Sequence, residues 1–268
     1  MNHMQHHPVI VLMTDFGLAD TFIGQMKGVI VSLAPSAQII DLTHAISPQN
    51  IVQGAFLLGK SRHFFPDGTI FIAIVDPGVG TSRKAIAIKT DRYTFLAPDN
   101  GLLTKILQSD NIRHCVQITK EHYMLRTQSS TFHGRDVFSP AAAHLASGVS
   151  PLELGNEMDP SKCTTILLPD CTTSDNGRSW NGQIISVDHF GNLVTSIDSE
   201  SIDFSREWLV ETKGCPPLPI SITYGEVADQ QLLAYVGSSG MIEIAVRNGH
   251  AAKLLGLGDG APVWISAV

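Results

Sequence analysis

The first half of the chain alternates short apolar runs with segments of helical periodicity. The runs PVIVLMTDFG, AQIIDLTH and GTIFIAIVDPGVG predict buried strands that end in loops, and AIAIKTD and TFLAPDNG predict two more strands. Apolar spacing predicts helices over 20–33, 49–64 and 101–108, and a further helix in DVFSPAAAHLASG. This alternation of strands and helices favours an α/β domain with a largely parallel sheet.

The pattern changes near residue 168. The segment PDCTTSDNGRSW is polar and rich in turn residues, as is typical of a linker. Short apolar or alternating runs follow it: GQIISVD, LVTSI, LPISITY, LLAYVG, MIEIAV and APVWISAV. Closely spaced short strands indicate a small barrel or sandwich. We therefore predict an N-terminal α/β domain over 1–168, a linker over 169–179 and a smaller, barrel-like all-β domain over 180–268.

Composition excludes several classes of protein. The 268 residues are 43% hydrophobic and 16% charged, so the chain can bury enough apolar surface to fold. A net charge of −7 argues against a nucleic-acid binder, and no apolar run is long enough to span a membrane. No secretory signal is visible, which makes the cytoplasm the expected location. The four cysteines show no CxxC spacing and are expected to be reduced and structural. Three histidines in the polar tail, His3, His6 and His7, are at most an adventitious metal binder.

Acids and histidines follow nearly every predicted strand of the first half. Asp15, His44, Asp76 and Asp99 each come directly after a strand, and His133 lies in the segment STFHGRD. Because ligands of open α/β sheets bind beyond the carboxyl ends of the strands, we expect these side chains to converge on one crevice. Two alternatives stay open at this stage. The aspartates could simply cap helices or turns, and the set could hold a metal, although a compact ligand motif such as HExxH is missing.

The segment VDPGVGTSRK carries the strongest catalytic signal. Arg83 follows Asp76 by seven positions across two glycines, a spacing that lets a tight loop fold the guanidinium onto the carboxylate. If His133 reaches the same carboxylate, the three side chains can position a water and remove its proton. The competing interpretation is a surface ion pair without a catalytic role.

The second half offers one candidate binding segment, VDHFGNLVTS. Asp188 and Asn192 flank Phe190, and an aromatic ring beside an amide side chain suits a purine. The alternative is an ordinary hairpin turn, since Asp and Gly-Asn are turn formers. The segment GSSGMIEIAVRNG places Ser238 and Glu243 around a further apolar strand.

Six ordered motifs, spread over nearly the whole chain, closely resemble the S-adenosyl-L-methionine (SAM) hydroxide adenosyltransferases, which are SAM hydrolases related to the fluorinating and chlorinating enzymes. The motifs are TDFGLADTFIGQMKGVI, IIDLTHAISPQNIVQGAFLL, FFPDGTIFIAIVDPGVGTSR, FLAPDNGLLT, TFHGRD and VDHFGNLVT. The resemblance implies an N-terminal α/β domain, a C-terminal barrel-like domain, and a homotrimer whose active sites lie between subunits.

The resemblance also implies a water-activating triad of Asp76, Arg83 and His133. The halogenases are different at these places, because Tyr stands where Asp76 and His133 stand here and a halide-binding Ser aligns with Gly134. The chain therefore resembles the hydrolase branch. Which of Asp76 and His133 takes the proton stays open.

The implied substrate contacts involve both halves of the chain. They are Asp15 to the ribose hydroxyls, Asp188 to the methionine ammonium, Phe190 as an apolar contact, Asn192 to the adenine edge, and Ser238 to the carboxylate. Ser239 stands where the halogenases carry an Arg after that Ser, and Glu243 on the same segment is a further substrate-binding candidate.

Together these features predict hydrolysis of SAM to adenosine and L-methionine by an activated water that attacks the ribose C5′. The sulfonium substrate supplies its own leaving group, so we expect neither a metal nor a cofactor. Three alternatives remain: a non-catalytic sensor of SAM or adenosine, a metal-dependent hydrolase, and a SAM-dependent halogenase. The last is disfavoured by Asp76, His133 and Gly134.

Overall fold

The computed structural model describes residues 7–126 and 129–268, which form two units, Met1–Leu167 and Leu168–Val268. His3 and His6 of the N-terminal tail lie outside the described residues, and the ring of His7 bonds through Nδ1 to the Ser36 carbonyl at 3.1 Å. Within the described ranges, no helix has both the length and the apolar character needed to cross a membrane.

The first unit is a sheet with helices on both faces. Its strands are β1 (Val9–Thr14), β2 (Gln38–Thr43), β3 (Ile70–Ile74), β4 (Ala85–Thr90), β5 (Thr94–Pro98), β6 (Ile112–Ile118) and β7 (Gly155–Glu157), and its helices are α1 (Phe22–Leu33), α2 (Ile51–Ser61), α3 (Thr104–Ser109) and α4 (Ser139–Ala146). In the described residues of this unit the strand order is β2-β1-β3-β5-β4-β6-β7. Five strands run in one direction, and β4 and β7 run against them. The predicted α/β fold with a largely parallel sheet is confirmed.

Both faces of this sheet are buried, because successive side chains of a strand point to opposite faces. In β1, Ile10 and Leu12 pack beneath α1 and α4, whereas Val11 and Met13 pack beneath α2 and α3. This explains why the strands read as continuous apolar runs. It also leaves the carboxyl ends of β1, β2, β3 and β5 as the edge where polar side chains can gather.

The predicted helix in DVFSPAAAHLASG begins differently from a regular α-helix. Gly134–Phe138 form one π-helical turn, and α4 starts only at Ser139. Pro140 has no N–H to bond the Asp136 carbonyl, and that carbonyl accepts instead from the Leu125 N–H at 2.9 Å. The Ser139 N–H and hydroxyl both bond the Gly134 carbonyl, which stabilises the wider turn.

The second unit is a closed β-barrel. Its strands are β8 (Thr172–Ser174), β9 (Ser179–Val187), β10 (Leu193–Asp198), β11 (Trp208–Thr212), β12 (Leu218–Ser221), β13 (Leu232–Val236), β14 (Met241–Val246) and β15 (Pro262–Ala267), with one short helix, α5 (Ala251–Leu255). Over 168–268, which the structure describes throughout, seven strands close in the order β9-β10-β14-β13-β12-β11-β15, and β8 pairs outside on β9. The predicted barrel-like all-β domain is confirmed. The segment 169–179, predicted as a linker, contains β8 and belongs to this second unit.

Candidate active site

Four of the predicted site residues follow parallel strands of the first unit. Asp15 follows β1, His44 follows β2, Asp76 follows β3 after one residue, and Asp99 follows β5. All four therefore stand at the same edge of the sheet, as expected for an open α/β fold. Their hydrogen bonds give them different roles.

Asp76 and Arg83 form a bidentate ion pair. The Arg83 Nε lies 3.1 and 3.0 Å from the two carboxylate oxygens of Asp76, and its Nη2 lies 2.5 Å from Oδ2. Both side chains are more than nine-tenths buried, with 5% of Asp76 and 9% of Arg83 exposed. This burial argues against the surface-pair interpretation, because a buried bidentate pair is held in one geometry.

The loop between the two residues makes this pairing possible. The Val79 N–H bonds the Asp76 carbonyl and the Thr81 N–H bonds the Gly78 carbonyl, so two successive turns bring the chain back. Gly80 has φ +79°, and a Cβ placed on it would lie 2.6 Å from the backbone oxygen of Ser130. Only glycine fits there, both for its left-handed backbone and for the close approach of the 129–136 segment.

His133 completes the group, and Arg83 links it to Asp76. The Arg83 Nη2 lies 2.8 Å from His133 Nδ1. Burial, and then the positive charge of Arg83, lower the pKa of His133, whereas Asp76 and Asp136 raise it. His133 is therefore a neutral imidazole at neutral pH.

Asp136 anchors the segment that carries His133. Its carboxylate is fully buried, accepts from the Ser129 N–H at 2.6 Å, and pairs with the neighbouring Arg135 at 2.6 Å. Arg135 also lies over the Phe132 ring, 5.0 Å from its centre. The contacts of Asp136 with Ser129 and Arg135 therefore hold the π turn that starts directly after His133. Turns of this kind are frequent at functional sites.

Three aromatic rings join the Asp15 loop to the His133 segment. Phe16, Phe22 and Phe132 pack edge to face, with ring centres 5.2 to 6.0 Å apart. Phe16 directly follows Asp15 and Phe132 directly precedes His133. The two predicted site residues consequently belong to neighbouring parts of one surface.

The side chains of Asp15 and His44 are both held by polar contacts with nearby residues. The Gln49 N–H donates to Asp15 Oδ2 at 2.8 Å. The His44 ring lies with Nδ1 2.9 Å from Thr14 Oγ1 and Nε2 3.0 Å from Asp41. These contacts fix the loop that carries Asp15, and among residues 7–126 and 129–268 they leave Asp15 Oδ1 for another partner.

Asp99 stands apart from the Asp76 group in its contacts. Its Oδ1 accepts from the Thr164 N–H at 2.7 Å, and its own N–H bonds the Lys84 carbonyl. Asp99 therefore has the turn-forming role that the sequence left open. In the described part of the chain, no three His, Cys, Asp or Glu side chains are grouped as metal ligands would be.

In the second unit, Asp188 closes a tight turn between β9 and β10. Its Oδ1 accepts from the backbone N–H groups of Phe190 and Asn192, at 2.9 and 2.8 Å. Its Oδ2 accepts from the Asn192 side-chain amide at 2.8 Å. The turn exposes the Phe190 ring, 73% of which is accessible, and buries Asn192.

Asn192 and Phe190 line a cleft of about 680 Å³ in the second unit. The other lining residues are Tyr224, Gly225, Val246, Arg247, Asn248 and Gly249. A volume of this size is in the range of small-molecule sites. The ring and the amide that the sequence indicated for a purine thus line one cleft, and purine binding there stays a prediction.

Ser238 and Glu243 have contrasting environments. Ser238 is exposed in the turn between β13 and β14, whereas the Oγ of Ser239 is buried with no hydrogen-bond partner among the described residues. Glu243 is only 7% exposed and accepts a short hydrogen bond from the Tyr235 hydroxyl. Burial and then Asp188 raise the pKa of Glu243, against the lowering effect of that hydrogen bond.

Sequence reasoning missed Tyr224 and Tyr235, which connect Asn192 to Glu243. The hydroxyl of Tyr224 lies 3.1 Å from Asn192 Nδ2 and 2.6 Å from the Tyr235 hydroxyl. Tyr235 reads as an ordinary strand residue, and Tyr224 follows a strand without any motif. No spacing rule could have joined them to Asn192.

Two family models match the chain. The SAM hydroxide adenosyltransferase N-terminal domain matches residues 10–155, and the C-terminal domain of the same family matches residues 182–264. The chain belongs to the SAM hydroxide adenosyltransferase family. The resemblance stated from the sequence motifs is thereby confirmed.

Proteins of two kinds of name are similar to this chain. Proteins named (R)-S-adenosyl-L-methionine hydrolase from Thermus thermophilus and Salinispora tropica are 36% and 35% identical, over 95% and 97% of this chain and 98% of each relative. A fluorinase from Actinopolyspora mzabensis is 26% identical over 99% of both chains. A crystal structure of an uncharacterized conserved protein from Thermotoga maritima has a TM-score of 0.86 and 33% identity, covering 96% of this chain and 99% of that one.

Proposed function

We propose that this SAM hydroxide adenosyltransferase hydrolyses S-adenosyl-L-methionine to adenosine and L-methionine. The observation that carries the proposal is the buried, bidentate Asp76–Arg83 pair with His133 on the same guanidinium. A carboxylate held in this way keeps its orientation and presents its remaining lone pairs to a water. The similarity to proteins named as hydrolases of this substrate supports the same activity.

The proposed step is a single displacement at carbon. The water oxygen forms a bond to the ribose C5′ while the bond from C5′ to the sulfonium sulfur breaks, and that electron pair leaves on sulfur as the neutral thioether of methionine. One proton of the water passes to the enzyme. Because the leaving group departs without a charge, we also propose that the reaction needs neither a metal nor a cofactor.

Asp76 is the proposed proton acceptor. The Arg83 guanidinium is always charged and can only donate, so His133 Nδ1 accepts from it and the proton of the neutral imidazole resides on Nε2. Nδ1 is thus already occupied, and Nε2–H is a donor that can orient the water oxygen. General-base help of this kind contributes about 10²–10⁴-fold, and positioning of the water contributes further.

The proposed substrate contacts follow the implied roles. Asp15 uses its Oδ1 for the ribose hydroxyls, and Asn192 faces the adenine edge beside Phe190. Asp188 holds the ammonium group, and Ser238 holds the carboxylate. Glu243 is a further proposed contact of the substrate site. The exposed Phe190 ring and the volume of the cleft support the placement of adenine in the second unit. Asp188 already bonds two backbone N–H groups and the Asn192 amide, so its contact with ammonium uses the remaining lone pairs.

The proposal also covers the substrate epimer, the assembly and the location of the protein. The (R)-sulfonium epimer is the proposed substrate, because the relatives' names specify it. The proposed assembly is a homotrimer with active sites between subunits, as the resemblance implies. The proposed location is the cytoplasm, which suits four cysteines that are all free, including Cys115 and Cys163 with sulfurs 3.4 Å apart.

The test is to incubate the purified protein separately with each sulfonium epimer and to follow the products by liquid chromatography, with chloride and fluoride in parallel samples. The proposal predicts adenosine and methionine from the (R) epimer, at a rate that does not depend on halide. A halogenated nucleoside would instead indicate the halogenase alternative. Bound nucleoside without product would indicate a sensor, and either result would overturn the proposal.

A further inference from the structure

Two tyrosine hydroxyl groups and a glutamate form a chain of hydrogen bonds that starts at the Asn192 amide. Asn192 Nδ2 lies 3.1 Å from the Tyr224 hydroxyl, which lies 2.6 Å from the Tyr235 hydroxyl, and Tyr235 in turn bonds Glu243 Oε2. Tyr235 and Glu243 are buried, and Tyr224 lines the cleft. We call these three residues, Tyr224, Tyr235 and Glu243, the relay.

The carboxylate at one end fixes the direction of every hydrogen bond in the relay. The Tyr235 hydroxyl donates to Glu243 Oε2, which accepts. The Tyr235 oxygen must then accept from Tyr224, and the Tyr224 oxygen must accept from Asn192. The relay consequently requires a donor, the NH₂ group, on this side of the Asn192 amide.

Glycine keeps the carboxylate in place. A Cβ on Gly237 would lie 1.9 Å from Glu243 Oε1, so only glycine leaves room for Glu243 at this point of β14. The acceptor that ends the relay is thus fixed by packing as well as by its hydrogen bond.

The contact with Asp188 requires the same orientation of the Asn192 amide. Asp188 Oδ2 lies 2.8 Å from the same Nδ2 atom, so both hydrogens of the amide have acceptors. The structure shows no donor on Asn192 Oδ1 within the described ranges. With both hydrogens held, the carbonyl oxygen is the group that Asn192 presents to the cleft it lines.

We propose that Tyr224, Tyr235 and Glu243 are positioning residues that hold the Asn192 carbonyl toward the cleft, so that the site selects a purine with an amino group at C6 over one with an oxo group there. An amino group at C6 donates to this carbonyl, whereas a 6-oxo group puts an acceptor opposite it. This inference rests on the proposed function, in which Asn192 faces the adenine edge.

The test compares the binding of adenosine and inosine by titration calorimetry; the two nucleosides differ in the group at C6 and in the hydrogen that inosine carries on N1. The ratio of the two dissociation constants is measured for the wild type, Tyr224→Phe and Tyr235→Phe. Wild type is expected to favour adenosine by at least about 10²-fold, since the wrong group leaves buried polar atoms unpaired. Each variant is expected to lower that ratio about tenfold, because Tyr224→Phe removes the nearest hydroxyl acceptor of one amide hydrogen and Tyr235→Phe frees the Tyr224 hydroxyl to turn.

Tyr93→Phe is the matched control. Tyr93 is a buried tyrosine of the first unit whose hydroxyl bonds the Phe65 carbonyl at 3.1 Å, so its loss costs a comparable hydrogen bond away from the cleft. The adenosine-to-inosine ratio should not change in this variant. If Tyr235→Phe does not fold, the Tyr224→Phe variant alone tests the inference. The Tyr224 ring is partly exposed, and its replacement leaves no buried carboxylate without a donor.

Two results would overturn the inference: equal binding of adenosine and inosine by the wild type, or an unchanged ratio in a folded Tyr224→Phe variant. Neither depends on catalysis, so a failure of the proposed hydrolysis is seen separately as a lack of product from SAM. If the wild type is active, the same ratio measured as kcat/KM for SAM against S-inosyl-L-methionine should follow the binding ratio. A merely structural role of the tyrosines would lower both values together.

Discussion

At the scale of single residues, Asp76 and Asp99 are two acids that follow parallel strands of one sheet and bind different partners. Asp76 pairs with Arg83, whereas Asp99 accepts from the Thr164 backbone. Asp76→Asn keeps the shape of the side chain and removes its basicity, so we expect kcat to fall by at least about 10²-fold. Asp99→Asn keeps an acceptor for Thr164 and should retain most of the activity.

The measurement for this pair is steady-state adenosine formation, together with thermal unfolding to confirm that both variants fold. Comparable losses in the two variants would show that the strand-end acids act through stability rather than chemistry. That result would remove the assignment of Asp76 as the base.

The lowered pKa of His133 predicts the acidic limb of the pH profile. Protonation of His133 would put a second positive charge beside Arg83 and remove the acceptor at Nδ1, so the active form is the neutral one. Because burial and Arg83 lower its pKa below the usual histidine value of about 6.5, activity should persist through pH 6.5 and decline only below it.

The observable is kcat/KM against pH, which reports groups of the free enzyme. His133→Gln keeps an acceptor for Arg83 but does not titrate, so whatever activity remains should lose this limb or have it displaced to lower pH. A wild-type limb centred above pH 6.5 would contradict the assignment.

Residue spacing suggested that Asp76 pairs with Arg83, whereas His133 was associated with them through the resemblance to the family. A seven-residue separation across two glycines is a local property, and the loop that results is closed by local hydrogen bonds. The contact of Tyr224 and Tyr235 with Asn192 is different, because it depends on how β10, β13 and β14 close the barrel. Sequence separation gives no indication of such contacts.

At the scale of elements, the loop after β3 is predicted to be sensitive at Gly80. Gly80 and Gly148 both have positive φ, +79° and +95°, but a Cβ meets the Ser130 carbonyl only at Gly80. Gly148→Ala should lower the free energy of unfolding by roughly 1–2 kcal/mol, the cost of a left-handed alanine, and leave activity unchanged. Gly80→Ala should cost more and also reduce kcat, because Arg83 and the 129–136 segment must shift apart.

Chemical denaturation and product formation on the same two preparations test this comparison. Gly80→Ala with wild-type kcat would show that the close approach of the loop to Ser130 does not position the triad.

Element types could largely be predicted from the sequence, because buried strands and amphipathic helices have distinct periods. The exceptions have local causes. The helix expected from residue 101 begins at Thr104, because the preceding residues form a turn in which the Thr104 N–H bonds the Gly101 carbonyl. The π turn before α4 follows from the missing N–H of Pro140, a feature that apolar periodicity does not detect.

At the scale of the whole molecule, the proposed homotrimer has a direct test by complementation. Asp76 lies in the first unit and Asn192 in the second. If each active site combines these units from different subunits, co-expression of Asp76→Asn chains with Asn192→Ala chains should give mixed trimers whose activity is well above that of either parent. Light scattering should give about 87 kDa, three times the 28.9 kDa chain.

The two chains carry different affinity tags, so that mixed trimers can be purified. Each variant expressed with both tags is the control for effects of the tags. Mixed assemblies no more active than their parents would show that a site takes both residues from one subunit. A mass of one chain in solution would exclude the trimer itself.

In the proposed reaction, a water molecule activated by Asp76 attacks the ribose C5′. The most direct measurement is a reaction in water enriched in ¹⁸O, with mass spectrometry of both products. We expect one ¹⁸O atom in the 5′-hydroxyl of adenosine, none in methionine, and loss of this product in Asp76→Asn. Unlabelled adenosine, a label in methionine, or any product other than this pair would contradict the proposed reaction.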